Sequence, residues 1–229
     1  MQYIFVCYAY QPNAILVCPM KSRSNECMVA SYQDIYEYLT AKGFKPQLNV
    51  TDNELSKVVQ NYIYSQIFDW QLVEPDNHRV NAAKRAIQTF KNHFISGLAT
   101  VNVMFTLQLW CYLISQAKLI LNIIRTSYHD PSKSACEVLK GKFDYNTTPL
   151  APPVTKYLIY EAPTRQATWA PHAVNGWYLG PAMNHYLCGH FFIISTRATR
   201  IVITTKLFPT KCALPTLSEE EKKLLRHKR

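Results

Sequence analysis

The residues of most specific chemistry lie in two places, at Asp52 and along the stretch 74–98. Asp52-Asn53 follows a β-branched run at 47–51 and precedes a helical one at 55–63. A carboxylate at the carboxyl end of a strand stands where open α/β sheets place their ligands. The same position also suits Asp52 or Asn53 as a plain helix cap, and the spacing leaves both roles open. Glu54 and Asp69 read as surface charge. Stretch 74–98, EPDNHRVNAAKRAIQTFKNHFISGL, reads as a turn feeding a long amphipathic helix. Pro75-Asp76-Asn77 carries loop chemistry, and Asn81 is placed to cap the helix. Ala83, Ile87, Phe90, Phe94 and Leu98 recur at three- and four-residue intervals, which predicts one buried face. Arg85, Gln88, Lys91 and Asn92 then form a basic face toward water or an anion.

The elements that must position these groups follow from pattern. Residues 3–10 and 14–20 are aromatic and β-branched, joined through Gln11-Pro12-Asn13, and predict a hairpin. A helix over 22–42 has Met28, Ile35, Tyr36 and Leu39 at helical spacing and stops at Gly43. Short strands at 47–51 and 69–73 flank the helix at 55–63, and a further long helix is expected over 107–125. This order predicts an α/β domain with helices packed on a mixed sheet. Residues 101–124 are the most apolar stretch, interrupted by Gln108, Gln116, Lys118 and Asn122. That interruption favours a buried core helix over a membrane span, so no membrane partner is expected.

Past Arg125 the texture changes. Residues 126–153 are rich in turn formers, with one short helix at 134–140, and read as a linker. Brief β-rich runs follow at 156–160, 176–179, 190–195 and 201–208. Turn signals at Asn175-Gly176 and Gly180-Pro181 separate them, which suggests a small β-barrel over 154–210. Residues 211–229 form a charged tail, acidic and then basic, in which Lys222, Lys223, Arg226, Lys228 and Arg229 offer a weak nuclear-localisation pattern. A nuclear or cytoplasmic location is expected. Within 154–210, Trp169, Trp177, Tyr178 and Tyr186 read as core rather than as a stacking platform. His172, His185, Cys188 and His190 match no zinc-finger spacing and read as scattered polar groups.

Composition bounds the partners. The 229 residues carry a formal net charge of +10 and are 48% hydrophobic, enough for a real core and suggestive of a polyanionic partner. Eleven Lys/Arg against four Asp/Glu from residue 150 onward concentrate a surplus of seven in the last third. Seven cysteines stand singly, with no C-x-x-C pair, and read as reduced thiols. The opening MQYIFVCYAY lacks a basic region and a cleavage site and is not read as a signal peptide.

HRVNAA-x-RAIQTFKNHF, residues 78–94, resembles the helix of retrotransposon integrases that carries the last carboxylate of the DDE metal site, written NAAER in that family. KPQLNVTDNE, residues 45–54, resembles the strand that carries the middle carboxylate. TWAPHAVNGWYLGPAMNHYLC, with TRATRIVI behind it, is similar to the compact SH3-like domain that follows the core in copia-type and related elements. The resemblance covers nearly the whole chain. It implies an RNase H-like core over 1–125 and an SH3-like barrel over 154–210. It implies DNA as partner, multimeric assembly and Mg²⁺ as the family's cofactor, with Asp52 as the metal-binding second carboxylate.

Two departures set the expected function. The glutamate position is Lys84, and the strand that would carry the first aspartate precedes the hairpin that begins at Tyr3, so neither it nor its aspartate falls within the sequence. Two-metal phosphoryl transfer needs several carboxylate oxygens around ions roughly 3.5–4 Å apart. An ammonium at the third position repels those ions by several kcal/mol at moderate dielectric. The resemblance therefore implies a catalytically inactive integrase fragment that does not hold Mg²⁺. It would still bind DNA, through Arg79, Arg85, Lys91, Arg197, Arg200 and Lys206. In the RNase H-like fold the first strand is central, so its absence would leave two unpaired edges and a poorly stable chain. Two other readings stand beside this one. One is an active Mg²⁺-dependent integrase or nuclease, if the gene model is truncated and Lys84 an error. The other is a protein-interaction module acting through the barrel.

Overall fold

The computed structural model describes residues 1–51, 56–66, 69–72, 82–101, 104–166 and 168–209. Asp52, Glu54, Asp76, Arg79, Asn81 and the tail therefore lie outside the described residues. The chain divides into two compact units, Met1–Ile95 with Leu107–Asp144, and Ser96–Thr106 with Tyr145–Arg229. Together they make a mixed α/β protein with one five-stranded antiparallel sheet.

The first unit begins with the antiparallel hairpin β1 (Tyr3–Ala9) and β2 (Ala14–Met20). Asn13 takes a left-handed φ of 54° in its turn and donates a hydrogen bond to the Thr126 carbonyl. Arg125 Nε in turn donates to the Asn13 carbonyl at 2.9 Å, so the turn is pinned from a distant part of the chain. Helix α1 (Asn25–Ala41) starts at Ser24, whose hydroxyl caps Cys27 N–H, and ends before Gly43 at φ 83°. It buries Tyr32, Ile35 and Leu39. Strand β3 (Leu48–Thr51), helix α2 (Lys57–Gln66) and strand β4 (Asp69–Leu72) follow, with β3 and β4 parallel. Helix α3 (Ala82–Ala99) comes next.

The long apolar stretch is broken in two, a 3₁₀ segment at Leu107–Leu113 and then α4 (Ile114–Ile124). The expected single helix over 107–125 is thus correct only in its second half. Leu107–Ile124 is long and apolar enough to cross a membrane by length and composition alone. Here α4 lies along β2, burying Ile114, Leu119 and Leu121. Helix α5 (Ala135–Lys140), capped by Ser134, adds Ala135 and Leu139 to a core of Ala14, Leu16, Ile35 and Leu39. The stretch 126–144, which reads as linker in sequence, is therefore packed into the first unit.

The two edges of the β1–β2 hairpin differ. Asn122 on α4 accepts a hydrogen bond from Ile15 N–H at 2.9 Å and donates one to the Ile15 carbonyl at 2.9 Å. Its amide so completes the outer edge of β2 in the manner of another strand. Because Ile15 points its backbone at Asn122, it is a non-hydrogen-bonded partner of Tyr8. By antiparallel alternation, Ile4, Val6 and Tyr8 then direct their N–H and C=O groups to the far edge of β1. Pro19 sits opposite Ile4, at a position where β2 needs no donor toward β1. Among the described residues no strand pairs with that far edge. The same holds for β3. Gln47 accepts from Asp69 N–H, so Leu48 and Val50 turn their backbones away from β4. Tyr32 on α1 packs with Phe5 of β1, and its hydroxyl accepts from Asn49 of β3 at 3.3 Å. Hydrogen exchange checks this arrangement. The amides of Ile4, Val6 and Tyr8 are expected to exchange at least tenfold faster than those of Phe5 and Cys7, roughly 1.4 kcal/mol less protected. Equal protection would mean that something covers the edge.

In the second unit the order is β8–β7–β6–β5–β9. The strands are β5 (Lys156–Tyr160), β6 (Ala173–Pro181), β7 (Cys188–Ile193), β8 (Ala198–Ile203) and β9 (Leu207–Pro209). A 3₁₀ turn at Thr204–Lys206 splits the run 201–208 that reads as one strand. Ile159, Tyr178, Phe191, Ile193 and Val202 form the core, with the Tyr178 and Phe191 rings 5.4 Å apart. Asn175-Gly176 and Gly180-Pro181, read as turns, both lie inside β6. A Cβ at Gly176 would meet Ile159 Cδ1 at 2.5 Å, so the end of that side chain would have to shift, and Gly180 with φ 146° follows the irregularity after Tyr178.

Candidate nucleic-acid surfaces and the Lys84 position

Helix α3 begins without an acidic residue in its first turn, which holds Lys84 and Arg85 instead. Both are exposed, as are Gln88, Lys91 and Asn92, so the expected basic face is present. The buried face keeps Phe90 and Phe94 of the expected set, with Ala86 in place of Ile87. Ala86, Phe90 and Phe94 are buried, while Ile87 is 46% exposed. The aromatic pair anchors this face. Phe90 and Phe94 stack at 5.7 Å, and Phe94 meets Trp110 edge-on at 6.3 Å. On a helix, positions seven apart return to nearly the same direction, so Lys84, Gln88 and Lys91 share a stripe about 10 Å long.

Lys84 can supply no lone pair to a cation at neutral pH, and its charge repels one. The donor set at this position is therefore wrong for the divalent ion that the resemblance implies. Asp52 and Arg79 lie outside the described residues. Among the described residues no three His, Cys, Asp or Glu side chains converge as a metal site.

The cations of the second unit differ in how far they are committed. Arg197 is exposed in the turn between β7 and β8 at φ 52°, and Lys206 is exposed in the 3₁₀ turn. Arg200 on β8 is ion-paired with Glu161, which holds part of its charge away from an incoming phosphate. The Arg200 pairing was not legible in sequence, since Glu161 lies 39 residues away. The aromatic residues divide as well. Trp177 and Tyr178 are buried, and Phe105 meets Trp177 edge-on at 6.2 Å. Trp169 is fully exposed and Tyr186 is 70% exposed, contrary to the core reading, because both lie in loops rather than strands. His190 is held below the usual imidazole value by burial and then by His185, whereas His172 is hydrogen-bonded to Gln166. The six described cysteines are free thiols, and burial pushes Cys7 up to about 11.

The sequence matches no protein-family model and no curated protein. Among solved structures the chain is similar to one in the cryo-EM structure of the simian T-cell lymphotropic virus intasome in complex with PP2A regulatory subunit B56 gamma. The likeness has a TM-score of 0.48 and 14% identity, covering 92% of this chain and 73% of that one.

Proposed function

We propose that the chain is a retroelement-integrase-derived fragment that binds nucleic acid without sequence preference and does not carry out strand transfer. The observation that carries this reading is Lys84, an exposed ammonium in the first turn of α3 where the resembled family places its last metal-binding carboxylate. It stands beside Arg85 and on one stripe with Lys91, so the position that would hold Mg²⁺ instead extends a row of cations. The order β1–β2–α1–β3–α2–β4–α3 supports an RNase H-like ancestry for the first unit. The strand order of the second unit, with its 3₁₀ turn before the last strand, supports an SH3-like relation. The net charge of +10 supports a polyanionic partner.

Calorimetry with Mg²⁺ and Mn²⁺, on this chain and on Lys84→Glu, tests the inactive site, alongside a strand-transfer assay. No metal-dependent joining is expected from the unmodified chain. Lys84→Glu is expected to weaken duplex binding severalfold at low salt, because it sets a negative charge beside the Arg85 and Lys91 contacts. Metal-dependent nicking or joining by the unmodified chain would overturn the proposal. A second reading, a protein-binding module on the second unit, is favoured by the fully exposed Trp169 and by Tyr186. Salt-insensitive or absent DNA binding together with tight protein binding lost in Trp169→Ala would favour that reading over the first.

A further inference from the structure

Helix α4 turns Ser115, Lys118, Leu119 and Asn122 toward the outer edge of β2, as their spacing of three, four and seven requires. Asn122 is used up in completing that edge at Ile15. Lys118, one turn earlier, reaches the same edge less well. Its Nζ lies 3.5 Å from the Val17 carbonyl, a long bond for an ammonium with three donors. Between β2, α1, α4 and α5 remains a cavity of about 250 Å³. Leu16, Ile35, Leu119 and Leu139 give it an apolar wall, and Lys118 and Lys140 are also among its lining residues.

The charges around this cavity do not balance. Lys118 takes part in no ion pair with a described residue, and the charged group that bears on it most is another cation, Lys140. Burial first, and then Lys140, hold the Lys118 ammonium below the usual lysine value. Tyr38 of α1 and Cys136 of α5, which also line the cavity, are both pushed up by burial and stay uncharged at neutral pH. Cys18 of β2 is a free thiol. Asp34 of α1 is the carboxylate of the lining, exposed on its helix, and Glu137 of α5 lies outside it. A half-buried ammonium with one long hydrogen bond and a like-charged neighbour is short of an anion.

We propose that this cavity is a binding site for a small amphipathic carboxylate, its apolar body on the Leu16–Ile35–Leu119–Leu139 wall and its carboxylate on Lys118 and Lys140. The volume suits a body of a few carbons rather than a drug-sized ligand. A free phosphate satisfies the cations but leaves the wall unused, and a neutral alcohol does the reverse. This site is separate from the stripe at Lys84, so its success or failure leaves the proposed function untouched.

The test uses the full chain with hexanoate as the probe, against hexan-1-ol and inorganic phosphate, followed by calorimetry and by the Lys118 side-chain resonances. Hexanoate is expected to bind with a Kd on the order of 1 mM. Hexan-1-ol and phosphate are each expected to bind at least tenfold more weakly. Lys118→Met, which keeps the apolar stem, is expected to weaken hexanoate at least tenfold, and Lys140→Met severalfold. Saturation with hexanoate should move the Lys118 titration to higher pH, a shift that a merely structural lysine would not show. Undiminished binding in either variant, equal binding of hexan-1-ol or phosphate, or no hexanoate binding would each overturn the assignment. Lys140 is exposed, so its variant keeps the test decisive if Lys118→Met does not fold.

Discussion

Raising salt from about 50 to about 200 mM is expected to weaken binding of this chain to duplex DNA by roughly a hundredfold. Each cation that neutralises a phosphate releases counterions, with a slope near −0.9 per contact in log K against log salt. Arg85 and Lys91 on the first unit and Arg197 and Lys206 on the second are exposed and are the four contacts counted. Four contacts give a slope near −3.6, which over a fourfold rise in salt is about two decades. Arg200 is left out of this count because Glu161 already neutralises it. Arg200→Ala should therefore change the slope little, while Arg197→Ala should reduce it by close to one contact. Affinity measured by fluorescence anisotropy across that salt range decides the matter. A flat profile would mean that the surplus of positive charge serves solubility rather than a polyanion.

Replacing Asn122 with Leu is expected to destabilise the first unit by about 2–5 kcal/mol, which is large against the stability of an ordinary domain. Ile15 is completely buried, and its N–H and C=O have their hydrogen bonds from the Asn122 side chain. Leucine has the same branched outline and better hydrophobicity, so a burial argument alone predicts a gain. The loss arises because two backbone groups are left in the core without partners, at about 1–3 kcal/mol each. Asn122→Asp should cost less at the Ile15 N–H and more at its carbonyl, since a carboxylate accepts but does not donate. Urea unfolding read by far-ultraviolet circular dichroism measures both. Unchanged midpoints would show that water or a strand shift replaces the amide.

The contrast between the two hairpin edges bears on the behaviour of the isolated chain. Where α4 covers β2, the backbone is satisfied by a side chain. At β1 the sequence YIFVCYA carries no charge to discourage pairing, and an open apolar edge of this kind invites an added strand. An extended peptide that slowed exchange at Ile4, Val6 and Tyr8 would be acting there as an added strand of the sheet.

Much of the first unit is legible because its signals are local. The hairpin follows from alternating apolar residues around Gln11-Pro12-Asn13, and α1 from Ser24 at one end and Gly43 at the other. The basic side of α3 and the identity of Lys84 are likewise properties of the chain alone, readable from period and position. What tertiary structure decided are the features that depend on a distant neighbour. Ile87 is exposed while Phe90 and Phe94 are buried, with Phe94 against Trp110, a distinction that the shared spacing does not make. Asn175-Gly176 is strand rather than turn because β5 and β7 pair with it on either side. Ala135 and Leu139 are core because Ala14 and Leu16 offer them a surface. Asn122 and Glu161 acquire their roles only when Ile15 and Arg200 are brought beside them. Propensity and periodicity act over a few residues, whereas which polar group meets which is settled by contacts more than a hundred residues apart for Asn122 and Ile15.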